Sequence, residues 1–208
     1  MKQKYLIYEI IIFSLVCLFL IIPPFFSKPV YDAALLFNWS FPLRQAGLCA
    51  FALVLYFFSR GINNSSSKKG FFFPSMLALG LLIFISLVIK IITKSTGTAG
   101  DALPDSLLKW FFCVLTFLFS AVYEEIIYRF YFTDALARFI KLNNWNIWLL
   151  EAAGALVFAF AHLYLGFAAV INSFFAHIIL RFLYKKTNLI WNCVIIHFIY
   201  NIISLILL

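Results

Sequence analysis

The chain has 208 residues, of which 65% are hydrophobic, 20% aromatic and only 12% charged, with a formal net charge of +8. Soluble domains hold roughly 45–50% apolar residues, so this composition, with a mean hydropathy of +1.02, excludes an ordinary globular fold and predicts an all-α, polytopic transmembrane bundle. A nucleic-acid partner is also argued against: the basic residues stand singly or in pairs at the ends of apolar runs and form no phosphate-binding stripe.

The first apolar run covers about 5–26, after Met1-Lys2-Gln3-Lys4. A signal-peptide core is roughly 7–15 residues and precedes a small-residue cleavage site; this run is longer and lacks one, so it reads as a first spanning helix. Glu9 lies near its start, and Pro23-Pro24 bends or ends it. A loop with Lys28 and Asp32 leads to a second helix at about 43–59. The stretch 60–70 (RGINNSSSKKG) is a polar linker without periodicity. A third helix at about 71–92 precedes a second polar loop, 93–104. Asp105-Ser106 then reads as a helix start, with an acidic group at the positive end of the dipole.

The fourth helix carries Glu124 and Glu125. It is expected to continue, amphipathic, through Asp134 and Arg138 to about Lys141, where Asn143-Asn144 breaks it. A fifth helix covers about 145–163 and Gly166 marks a tight turn. The sixth runs over about 167–184 and the seventh from about Leu189 onward. The expectation is thus about seven helices in one integral membrane domain, 1–208, with no internal repeat of the kind that builds inverted-repeat transporters. Lys and Arg placement puts the N-terminus on the cytoplasmic side. Cys17, Cys49, Cys113 and Cys193 each stand alone in an apolar run, as buried small hydrophobes do.

Polar groups in such a chain need a reason, since unpaired charges near a membrane interior cost several kcal/mol. Glu125 and Arg129 are four apart, share a helix face and can pair. Glu124 points about 100° away and faces the bundle interior. A desolvated glutamate beside a second carboxylate is suited to take and return a proton; the plainer reading is an ion-pair lock between helices. His162, in Phe158-Ala-Phe-Ala-His162, lies one helix on. His197 and Asn201, four apart in the last helix, project to one side and can serve as an oxyanion hole or as interhelical glue. His177 and Arg181, also four apart, are expected to be interfacial or structural.

EExxxR, then FxxxH, then HxxxN, in that order on three late helices, resembles the CAAX prenyl protease and bacteriocin-processing family, which includes the type II CAAX prenyl endopeptidases and the Abi proteins. The resemblance covers about 105–201 and extends to the lead-in Lys186-Thr187-Asn188-Leu189-Ile190-Trp191. It implies an intramembrane endopeptidase. Glu124 and His162 would activate the attacking water, Glu125 and Arg129 would support them, and His197 and Asn201 would stabilise the tetrahedral oxyanion. Phe158 matches a packing position. Phe130 departs from the family pattern, which often has glycine after the motif arginine.

The implied reaction is general-base hydrolysis of a peptide bond without a covalent intermediate. The expected partners are a peptide or lipid-associated protein substrate and membrane lipids, in the cytoplasmic membrane of a bacterium. A zinc ion held by Glu124, His162 and His197 is the competing chemistry. No HExxH is present, and the amide beside the second histidine fits an oxyanion hole better, so no cofactor is favoured. No GxSG serine pattern supports a rhomboid-like nucleophile. Two other classes stay open: a non-catalytic immunity or binding protein of the same fold, and a proton-coupled carrier using the buried carboxylates.

Overall fold

The computed structural model of the chain describes residues 2–27, 38–60, 72–93, 103–139 and 144–207. Most of each of the four earlier connections therefore lies outside the described residues, including Lys28, Asp32, Lys68, Lys69, Lys94, Asp101, Lys141 and Asn143. Among the described residues there are helices and no strands. Six helical stretches are long and apolar enough to cross a membrane, and a seventh is shorter.

The first span begins as α1, Lys2–Val16. It widens into a π-helical turn at Cys17–Ile21 and ends in a 3₁₀ turn at Pro23–Phe26. Pro23 is the physical cause. It has no N–H to give, and its ring presses on the carbonyl four residues back. The last backbone bond before it, Ile22 N–H to Cys17 O at 2.9 Å, spans five residues rather than four.

Helix α2 runs Ser40–Arg60, starting earlier than the sequence pattern indicates, and α3 runs Phe72–Thr93. Helix α4, Leu107–Glu124, starts at the predicted place: the Ser106 hydroxyl accepts from the Lys109 N–H. Lys109 also pairs with Asp105 at 2.7 Å, and that hydrogen bond holds the Asp105 carboxyl below the usual carboxylate range.

Helix α4 does not stop at Glu124. It passes without a break into a π-helical stretch, Glu125–Phe132, and then into α5, Thr133–Phe139. The continuous span of 33 residues is about 50 Å long at 1.5 Å per residue, well beyond the roughly 30 Å of a bilayer core. Helix α6, Asn144–Phe160, has only 17 residues, or about 25 Å. It is followed by a 3₁₀ turn at Leu163–Leu165, by α7, Phe167–Thr187, and by α8, Ile190–Leu207.

Two tight connections are set by single residues. Gly166 has a φ of +96°, a conformation open to glycine and strained for other residues. Asn188 closes α7 in the left-handed region with φ 55°, which asparagine tolerates better than most.

The eight residues of the π-helical stretch are all buried, with Glu125, Ile126, Ile127 and Arg129 at 0% exposure. They are enclosed by α2, α6 and α8. Around this axis the outer surface is apolar: Leu107, Phe26 and Phe58 are 80% exposed or more. A polar interior inside a greasy exterior is the arrangement a bilayer requires. Cys49, Cys113 and Cys193 are buried free thiols, as the sequence indicates, and Cys17 is half-buried.

Candidate active site

Glu124 is the last residue of α4, near the middle of the long span. Its side chain keeps 19% of its exposure. His162 does not lie in the fifth helix as its spacing from Phe158 predicts. That helix, α6, ends at Phe160, and His162 sits in the following turn with φ −101° and ψ 9°. The short α6 follows the C-terminal end of the long span and so reaches only its middle. That brings His162 to the depth of Glu124 without any break in α4.

The two side chains meet. His162 Nε2 lies 3.7 Å from Glu124 Oε2, and His197 Nε2, on α8, lies 3.8 Å from the same oxygen. Glu124 Oε2 is buried and makes no direct hydrogen bond among the described residues. Both gaps exceed a direct hydrogen bond and fall within the span of one bridging water.

The far nitrogen of each ring is fixed. His162 Nδ1 lies 2.9 Å from the Phe158 carbonyl, one of the last of α6. A carbonyl only accepts, so Nδ1 carries the proton and donates. His197 Nδ1 donates to Glu125 Oε1 at 2.6 Å. The same Glu125 oxygen accepts from Arg129 Nη1, and both of those side chains are fully buried. Glu125 thus holds His197 while Arg129 holds Glu125. Two opposite charges sealed from solvent are tolerable only as a pair with further hydrogen bonds.

Phe158 packs the site together. It is 2% exposed, and the Arg129 guanidinium sits 4.8 Å from its ring centroid. Its ring lies 4.7 Å from that of His162, 5.4 Å from His177 and 6.5 Å from His197. Asn201 follows His197 by one turn on α8 and is half-buried. No hydrogen bond or ion pair among the described residues joins it to the cluster.

Other residues around the site were legible only in part. His177 is buried at 1% between α6 and α7, and Arg181 at 9%, so both are interior rather than interfacial. Arg181 forks onto Glu151 of α6 at 2.9 and 3.1 Å, and Lys185 joins the same carboxylate at 2.7 Å. Glu151 is a residue that motif spacing does not select. Its signal is plainer: it is an acidic residue inside an apolar helix, which demands a partner. Among the described residues, no three histidine, cysteine, aspartate or glutamate side chains are grouped so as to hold a metal ion.

Residues 106–203 match the family model described as Type II CAAX prenyl endopeptidase Rce1-like. No curated protein and no solved structure matches the chain. The matched segment runs from the Ser106 cap into α8 and contains every residue of the Glu124–His162–His197 cluster. The chain is an integral multi-pass membrane protein, and over residues 106–203 it is similar to the type II CAAX prenyl endopeptidase family.

Proposed function

We propose that this protein hydrolyses a peptide bond inside the membrane with a water activated by Glu124 and His162. The observation that carries the reading is the position of Glu124 Oε2, buried without a direct partner and facing the Nε2 atoms of two imidazoles from separate segments. Such a carboxylate, within one water of the unprotonated His162 Nε2, is placed for general-base work.

In this scheme the water oxygen adds to the scissile carbonyl carbon while its proton passes to the Glu124–His162 pair. His197 acts as an imidazolium, with Nδ1–H on Glu125 and Nε2–H free, and it and the Asn201 amide donate to the oxygen on which negative charge develops. Collapse of the tetrahedral species breaks the C–N bond. The stored proton goes to the leaving nitrogen, and the products are a carboxyl and an amine. Glu125 and Arg129 hold the ring of His197 and touch no reacting atom. The scheme needs no metal: Glu124 supplies the base and the imidazole and amide N–H groups supply the electrophilic side. The substrate is a peptide or lipid-associated protein presented at the membrane, and the location is the cytoplasmic membrane of a bacterium.

The test uses purified protein in liposomes with a quenched fluorescent peptide bearing a farnesylated cysteine near its C-terminus, beside an unprenylated peptide of the same sequence. Cleavage that vanishes in Glu124→Gln and in His162→Ala, both folded, is the expected result. Cleavage undiminished in both variants overturns the mechanism.

A further inference from the structure

The π-helical stretch raises a mechanical question. Glu125 and Arg129 set the orientation of His197, yet they sit on a helical segment with non-standard hydrogen bonding. In an α-helix the Thr133 N–H would go to the Arg129 carbonyl; here it goes to Phe130 O. The Arg129 carbonyl accepts from two side chains, the Thr133 hydroxyl at 2.6 Å and Arg181 Nη1 at 2.6 Å. The first donor is local. The second comes from another helix, α7, 52 residues away in the chain.

Arg181 is itself fixed. Its Nε and Nη2 bond to the two oxygens of Glu151 on α6. Its Nη2 also lies 3.8 Å from Asp134 in the first turn of α5. The planar fork of arginine can hold a carboxylate with two nitrogens and spend the third on a carbonyl, which a lysine cannot do.

We infer that Arg181 is a positioning residue for the site. Anchored by Glu151, it clamps the Arg129 carbonyl, fixes the register of the π-helical stretch, and through Arg129 and Glu125 holds His197 against Glu124. A chain of four contacts therefore connects Glu151 in the middle of α6 to the imidazole in α8. The inference rests on the reading of Glu124 and His197 as reacting groups only for its effect on turnover. Its structural half stands independently.

Two measurements test it. The first is hydrogen exchange of the full chain in detergent micelles, followed at the amides of 129–134. In Arg181→Met these amides exchange at least tenfold faster than in wild type, while α3 and the first half of α4 are unchanged; unaltered exchange at 129–134 overturns the clamp. The second is cleavage of the farnesylated peptide. Arg181→Met lowers kcat at least thirtyfold with KM within twofold, and Arg181→Lys, which keeps one donor, recovers part of the loss. A general loss of structure would move KM and protection everywhere, and wild-type kcat in Arg181→Met overturns the positioning role.

If Arg181→Met does not fold, Glu151→Gln and Thr133→Val carry the same comparison. Each weakens one side of the clamp while keeping side-chain shape, and faster exchange at 129–134 remains the expected sign. The two ideas fail separately. A protein whose exchange follows this pattern but whose Glu124→Gln variant still cleaves the peptide keeps the clamp and loses the proposed chemistry. One whose Glu124→Gln variant is inactive while Arg181→Met is normal in both readouts keeps the chemistry and loses the clamp.

Discussion

His197 Nδ1 and Glu125 Oε1 are 2.6 Å apart across 72 residues of sequence. The second glutamate of the Glu124-Glu125 pair is thereby divided between two tasks, since the same oxygen also accepts from Arg129. It neutralises a buried guanidinium and sets the ring of a histidine on another helix. The adjacent carboxylate, on the neighbouring face, is left to the imidazole Nε2 atoms. One residue of separation along a helix therefore yields two carboxylates with different surroundings.

That division predicts different costs for the two glutamates. Glu124→Gln lowers kcat by about 10²–10⁴-fold, the usual contribution of a general base, and leaves thermal stability close to wild type because the side chain is partly exposed. Thermal unfolding in detergent beside single-turnover cleavage measures both. A variant that unfolds yet turns over normally when folded would contradict the assignment.

Arg129 behaves in the opposite way. Arg129→Ala leaves the Glu125 carboxylate buried without its partner, which destabilises by about 3–5 kcal/mol. Replacing both members, with Glu125→Gln and Arg129→Met together, recovers part of that stability and none of the activity. Equal stability of single and double variants in denaturant titration would show that the pair is not a closed ion pair.

Gly154→Ala tests how closely α6 lies against the long span. A Cβ there comes 2.9 Å from Thr133 Cγ2 and 3.3 Å from His177 Nε2. Thr133 cannot swing its methyl away without withdrawing its hydroxyl from the Arg129 carbonyl. Overpacking costs about 1–3 kcal/mol, against about 1 kcal/mol gained from alanine's helix propensity. The variant is expected to lose up to about 2 kcal/mol and to lose turnover with it. An alanine variant as stable as wild type would show more room between these helices than the backbone places there.

A second polar knot lies apart from the site. Asn172 of α7 donates to the Tyr200 hydroxyl at 2.7 Å and accepts from Ser86 of α3 at 2.8 Å, while Ser86 and Tyr200 also bond. It ties α3 to the helices that carry the chemistry. Tyr200→Phe should cost about 1 kcal/mol, the scale of interhelical hydrogen bonds in membranes, and change kcat less than threefold. A hundredfold loss of kcat would move Tyr200 into the reaction itself.

The absence of a metal from the proposed scheme is checked directly. Incubation with phenanthroline, followed by removal of the chelator, is expected to leave cleavage of the farnesylated peptide unchanged. Loss of activity restored by zinc would transfer Glu124, His162 and His197 to a metal-ligand role.

Much of this molecule could be read from residue order. Long apolar runs have one stable solution in a bilayer, a helix with every backbone group paired, so the number and approximate limits of the spans follow from hydropathy. The Ser106 cap, the Gly166 turn and the Glu125–Arg129 pair are equally local, governed by residues no more than four apart. Three features were not legible. The π-helical stretch at Glu125–Phe132 has no distinctive composition, and one of the donors to its Arg129 carbonyl comes from α7, 52 residues away. His162 falls in a turn because α6 ends at Phe160, a boundary that an apolar pattern does not mark. The Glu151–Arg181 fork joins residues on two helices, and only the packing of those helices decides which carboxylate a buried arginine finds. Local spacing places groups on one face of one helix; the distance between faces belongs to helix lengths and crossings, which are fixed by contacts remote in sequence.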